Sequence, residues 1–304
     1  GRLVDLLSAL PAAHRLWYGP PGPDRRPVSW AAFRRWLTLN LNRKEPPVTA
    51  TDAFSPRRID ILGTPLDAIS FDEMCERIRH AALTGRKLRI APSSIDFVMK
   101  ARRDRTFREE LWDTELVIAD GVPLTWAARL LGTPVKGRVS GTDMVWHMAR
   151  LSAESGFGVA MIGGRFEITA RAAEVMRSAF PGARLHPLQT PFPLTADANR
   201  ALTQSIRELD CAVVLCALGA PKQERWIRSN LEACGCSVGS GIGSAFDIIS
   251  GDKPRGPKWM CDNGLEWLHR LCQEPRRLFR RYIIEDMPFV ALLAGEWLRR
   301  RICG

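Results

Sequence analysis

The run CAVVLCALGAPKQE, Cys211–Glu224, decides the fold. Its first eight residues are apolar without alternation, as in a strand covered on both faces. Gly219, Ala220 and Pro221 then break the run, and Pro221 suits the first turn of a helix over PKQERWIRSNLEACG, where a missing N–H does no harm. A buried strand handing over to a helix marks an open α/β sheet, and ligands of such sheets bind at that edge.

The same alternation extends in both directions. Upstream lie the strand GVAMIGG, the helix FEITARAAEVMRSAF closed by Pro181-Gly182, the strand ARLHPL and the helix TADANRALTQSIREL. Earlier still come RIDILG as a short strand, the helix SFDEMCERIRHAAL, the strand KLRIAP, a helix through FVMKARRDRTFREELW and the strand ELVIAD. The helix VPLTWAARLL then ends at Gly132, and TDMVWHMARLSAESG follows. Ser70 and Glu73 form a capping box, with Ile69 and Met74 placed to staple across the first turn. Downstream, CSVGSGIGSAFDIISG completes a core over residues 57–252. Strands alternating with helices of this length predict a parallel sheet with helices on both faces.

Two segments flank that core. Residues 1–56 hold a proline-rich patch, an amphipathic helix over SWAAFRRWLTLNLNR and a linker, EPPVTATDAFSP. Residues 253–304 are helical, aromatic and basic, with Arg276, Arg277, Arg280 and Arg281 clustered and Arg299–Arg301 near the end. The tryptophans and leucines around the cluster, Trp259, Trp267, Leu268 and Leu271, are expected in the core.

The chain has 304 residues, 45% hydrophobic and 25% charged, with a formal net charge of +11. That composition is globular and excludes a disordered chain. The charge suits a partner bearing phosphates. Eight cysteines include no C-x-x-C pair, so free buried thiols in a reduced, cytosolic setting are expected rather than a zinc site. No secretory signal is read, and MPFVALLAGEWL is too short to span a bilayer, which takes about 20 apolar residues.

Polar clusters fall where strands end. Asp120-Gly121 follows ELVIA; such a carboxylate serves as a general base or as the N-cap of the helix over 122–131. Gly163-Gly164 admits a phosphate to a helix start or simply makes a tight turn. Lys222 and Gln223 occupy the first turn of a helix, where orphan N–H groups favour an anion. GSGIG at 239–243 has the wrong spacing and context for a dinucleotide loop. No strict Asp-x-Asp occurs to hold a metal on a nucleotide.

Taken together, these motifs are family-specific: A-D-G at 119–121, R-V-S-G-T-D at 138–143, G-A-P-K-Q-E at 219–224, G-I-G-S-A-F-D at 241–247, G-x-x-x-R-G-P at 251–257, G-L-E-W-L-H-R-L at 264–271 and E-P-R-R-L-F-R-R-Y at 274–282. In that order they resemble the WecG/TagA/CpsF family of bacterial glycosyltransferases across residues 57–290. The resemblance implies a Rossmann-like core with a basic, membrane-touching C-terminal appendage. It implies an inverting, metal-independent transfer of a sugar from a UDP-sugar to a polyprenyl-diphosphate-linked saccharide at the cytosolic membrane face, with no cofactor beyond the donor. Asp120 would be the general base, with Ser94 beside it. Gly121, Arg138, Asp143, Gly163, Gly164, Lys222, Gln223, Gly241, Gly243, Asp247 and Arg255 would line the substrate, and Arg270, Arg277 and Arg281 would neutralise the leaving diphosphate. An anionic membrane surface is an expected partner, nucleic acid is not, and self-association is left open.

One departure stands out. Where the family commonly has Thr-x-Asn, this chain has Pro92 and Ser94, which points toward a hexose other than N-acetylmannosamine. Two readings of other classes remain at this stage: a nicotinamide-dependent oxidoreductase on a similar sheet, and a non-enzymatic basic module for membrane or nucleic acid.

Overall fold

The structure is a computed structural model that describes residues 56–257, 259–260 and 264–303. The extension expected over residues 1–56 lies, but for Pro56, outside the described residues.

Six parallel strands form the sheet: β3 (Leu88–Ser93), β4 (Leu116–Ala119), β5 (Gly158–Gly163), β6 (Arg184–Pro187), β7 (Cys211–Ala217) and β8 (Val238–Gly241), in the order β4-β3-β8-β7-β5-β6. Side chains of successive residues enter opposite layers, as the unbroken apolar runs demand. Leu116, Ile118, Val159 and Met161 join one buried cluster, whereas Val117 and Ala119, or Ala160 and Ile162, join those on the other face.

The first face carries α1 (Phe71–Thr84), α5 (Gly141–Ser155), α6 (Phe166–Ala179) and α9 (Ala245–Ile249). The opposite face carries α2 (Ile95–Arg103), α3 (Arg105–Trp112) and α4 (Val122–Leu130) over β3 and β4, with α7 (Ala196–Glu208) and α8 (Lys222–Asn230) over β5 and β7. The capping box at α1 forms as expected: Glu73 N–H donates to Ser70 Oγ and Ser70 N–H to Glu73 Oε2.

Two local expectations are corrected. RIDILG forms its short strand, β1 (Arg58–Ile61), but not as a member of the parallel sheet: it pairs in an antiparallel hairpin with β2 (Thr64–Asp67), outside the main sheet. Leu62 and Gly63 turn the chain at φ of 56° and 89°. Asp67 ties the hairpin to the sheet edge, accepting from Val117 N–H at 2.7 Å and from both Nε and an Nη of Arg58. The long helix through FVMKARRDRTFREELW divides at Asp104, whose carboxylate accepts from Phe107 N–H and so caps α3.

The appendage packs on the α2–α4 side. It comprises α10 (Glu266–Gln273), α11 (Pro275–Phe279), a π-helical turn over Arg280–Asp286 and α12 (Pro288–Cys303). Phe289 enters the hydrophobic cluster beside α4, with Leu292, Leu293 and Trp297 packed against it. Trp259 is 61% exposed and Leu268 is also exposed, against the expectation that they lie in the core.

The position of β3 opens the functional edge. It pairs with β8 only from Leu88↔Val238 to Ile90↔Ser240, while its pairing with β4 runs on to Ser93↔Ala119. Pro92 falls beyond the last β8 partner, so its missing N–H leaves no gap in that ladder. β8 meanwhile stays with β7 to Cys216↔Gly241. The two strands part at their carboxyl ends.

Candidate active site

Asp120 and Ser94 occupy the next positions after the last β3–β4 partners, and Asp120 N–H still donates to Ser93 O at 2.8 Å. Ser94 stands at the N-cap position of α2, yet its hydroxyl makes no capping bond. Asp120 does not cap α4 either. That position belongs to Gly121 at φ 111°, which excludes the N-cap reading. The chain after α4 returns beside β4, with Val139 N–H bonded to Ala119 O at 2.9 Å, and so brings Arg138 to the same rim.

The carboxylate of Asp120 is pushed up to about 6. Loss of water among packed protein atoms is the main cause, and the nearby Glu266 carboxylate adds to it. Arg270, a hydrogen bond from the Gly141 backbone and Arg138 pull the other way. The rim therefore holds one carboxyl group balanced near neutrality between an acid and two guanidinium groups, the condition a general base requires at neutral pH. Glu266 and Arg270 lie one turn apart on α10, paired at 3.6 Å, so the appendage reaches the β4 edge.

Across the gap between β3 and β8, Gln223 is 3% exposed rather than open to a ligand. Its Oε1 accepts from Gly219 N–H and Gly243 N–H, both at 3.2 Å, and its Nε2 donates to Glu224 Oε1 at 2.7 Å. Burial pushes the Glu224 carboxyl up to about 7, against hydrogen bonds from Gln223 and its own backbone. Gly241 exists for this pair. A Cβ there would lie 2.3 Å from Gln223 Nε2. GSGIG is thus shaped by a neighbouring side chain. Lys222 is exposed in the first turn of α8.

Other expected ligand groups hold each other. Arg255 grips Asp143 through two nitrogens at 3.0 and 3.3 Å, and Lys253 sits 3.6 Å from Asp247. Arg281 pairs with Asp96 at 3.2 Å and with Asp286 at 3.9 Å. Lys100 joins that cluster, donating to Asp96 Oδ2 and to Ala220 O. Arg277 lies on α11. Gly163 marks a close approach, since a Cβ there would meet Ala217 C at 2.7 Å, and Gly164 turns the chain at φ 69°. Both support the tight-turn reading.

The sequence reading missed Glu266, although its spacing from Arg270 places both on one helical face. It also missed Glu224, whose burial depends on the absent side chain at Gly241. Among the described residues, no three His, Cys, Asp or Glu side chains gather as a metal-binding group.

The sequence model of the Glycosyl transferase WecG/TagA/CpsF family matches residues 59–302, most of the chain and both the sheet and the appendage.

Proposed function

The chain belongs to the WecG/TagA/CpsF glycosyltransferase family, and from that premise we propose an inverting, metal-independent hexosyl or N-acetylhexosaminyl transfer from a UDP-sugar to a polyprenyl-diphosphate-linked glycan. Membership makes the protein a glycosyltransferase of cell-surface polysaccharide synthesis, with a sugar-nucleotide donor and a lipid-linked acceptor in general. The oxidoreductase and the non-enzymatic module are set aside on that ground.

The observation that carries the finer reading is the setting of Asp120: half-buried, near neutrality, and flanked by Arg138 and Arg270. In the reaction its carboxylate takes the proton from an acceptor hydroxyl. The freed oxygen attacks the anomeric carbon opposite the diphosphate, the carbon–oxygen bond to UDP breaks, and the configuration inverts. Charge on the leaving diphosphate then faces Arg138 and Arg270. Ser94, with its hydroxyl uncommitted at the same rim, donates to a sugar oxygen.

We place the protein on the anionic cytosolic face of the inner membrane. No helix among the described residues is long and apolar enough to cross a bilayer. The appendage instead exposes Phe279, Ile284, Met287, Val290, Leu298 and Ile302 among the exposed Arg276, Arg280, Arg299 and Arg301. Apolar side chains mixed with arginines suit an anionic interface.

The test is a panel of UDP-sugars assayed with a lipid-diphosphate acceptor. Transfer from one UDP-hexose, with the product linkage inverted, supports the reading. No transfer from any UDP-sugar, with turnover of another nucleotide sugar, overturns the donor.

A further inference from the structure

The proposed transfer leaves Glu224 without a task. Its carboxyl lies buried beneath the carboxyl edge of the sheet: Oε1 accepts from Gln223 Nε2, and Oε2 has neither solvent nor a hydrogen-bond partner. Gln223 commits its Oε1 to two backbone N–H groups of different loops, Gly219 after β7 and Gly243 after β8. An amide that accepts twice at oxygen must present its nitrogen as a donor on the other side. Glu224 is the acceptor that meets it.

Gly241 gives an independent sign that this space is reserved. A Cβ at that position would stand 2.3 Å from Gln223 Nε2 and 2.6 Å from Glu224 Oε1. Both loops also hang from the ends of adjacent strands, with Cys216 opposite Gly241. Beyond the backbone bond from Ile242 N–H to Cys216 O at 3.0 Å, one amide bridges the two loops, and one carboxyl meets its nitrogen.

We propose that Glu224 is a positioning residue for the donor: by fixing the Gln223 amide in one orientation, it holds the Gly219 and Gly243 loops at the separation that receives the sugar nucleotide. This rests on the donor reading given above. It moves Gln223 from a contact on the sugar to a clamp beneath the loops, and it adds a residue that acts without touching substrate. The chemistry of the acceptor is what counts. A glutamine at 224 still offers a carbonyl oxygen to Gln223 Nε2, whereas methionine fills the space and offers none.

The experiment compares Glu224→Met and Glu224→Gln with the unaltered protein by UDP calorimetry, steady-state kinetics and hydrogen exchange of peptides spanning Gly219 and Gly243. Glu224→Met is expected to weaken UDP and raise the donor KM about tenfold more than it lowers kcat. It should also speed exchange in both loops together. Glu224→Gln should stay within about threefold on every count.

Normal loop exchange and donor KM in Glu224→Met would overturn the proposal. So would a Glu224→Gln protein as impaired as Glu224→Met. If Glu224→Met does not fold, Gln223→Met, which removes the Gly219 and Gly243 N–H bonds directly, is judged by the same exchange. Exchange does not depend on which donor is used. If the loops loosen but the unaltered protein binds no UDP, the donor reading is at fault. If it binds UDP and the loops stay tight, the clamp alone is wrong.

Discussion

Asp120 and Gly141 meet where β4 ends and α5 begins: the Gly141 backbone hydrogen-bonds the carboxylate, and a Cβ on Gly141 would lie 3.8 Å from Asp120 Oδ2. An amide at 120 retains an oxygen for that bond but no longer takes up a proton. Asp120→Asn should therefore lower kcat by at least about 100-fold with UDP affinity little changed, the usual range for losing a general base. Single-turnover kinetics and calorimetry check this, and full turnover would remove Asp120 from the mechanism.

The same substitution has a signed effect on stability. The carboxyl rises from 3.8 to about 6 on folding, so its neutral form is favoured in the folded chain. The resulting stabilisation is complete below the unfolded pKa and disappears as pH climbs through about 6. Asparagine carries no such loss. At pH 8 Asp120→Asn should unfold at a temperature equal to or above that of the parent, and at pH 4 the difference should shrink. Differential scanning calorimetry at the two pH values measures it.

Activity should rise with pH through about 6 as Asp120 gives up its proton. Glu266 pushes that midpoint up and Arg270 pulls it down. Glu266→Gln should therefore move the acid limb of kcat/KM to lower pH, and Arg270→Gln should move it higher. Shifts of the same sign in both profiles would contradict the arrangement of α10 over the rim.

Gly163→Ala tests the join between β5 and β7. At φ 88° and with Ala217 C 2.7 Å from the new Cβ, the strand must move to accept a methyl group. A loss of roughly 2–4 kcal/mol is expected, read by urea denaturation. Gly182→Ala, where φ is 94° but nothing stands within 4 Å of the Cβ, should cost less.

The exposed face of the appendage should anchor the protein. Replacing Phe279, Ile284 and Met287 together with serine should reduce binding to vesicles containing phosphatidylserine, with transfer to a water-soluble acceptor retained. Binding should also weaken with salt, since exposed arginines are screened. If guanidinium groups supply the charge, as proposed, EDTA should leave turnover unchanged.

The sheet was legible because its strands are buried twice over, which leaves an uninterrupted apolar run such as CAVVLCAL between polar turn residues. The hairpin was not, because an apolar Leu62 occupies the left-handed position where Asn or Asp would have announced a turn. Asp120, Gly163-Gly164 and the GAPKQE loop could be placed at one edge, since strand ends gather there, whereas Ser94 and Arg138 entered only through the family motifs. The partnership of Asp120 with Glu266 could not, because it joins positions far apart in the chain with no shared periodicity. Gln223 was read as open since it follows a loop; its burial depends on Gly241, whose missing side chain makes the room.

The early parting of β3 from β8 has one more consequence. Past Ile90 the strand owes β8 no hydrogen bonds, and Ser94, one residue beyond the last β4 partner, sits where a side chain can be exchanged without unpicking the ladder. On the proposed reading, preference for one hexose over another would then lie just outside the scaffold, and descendants of this chain would be free to change sugars while the six strands stay as they are.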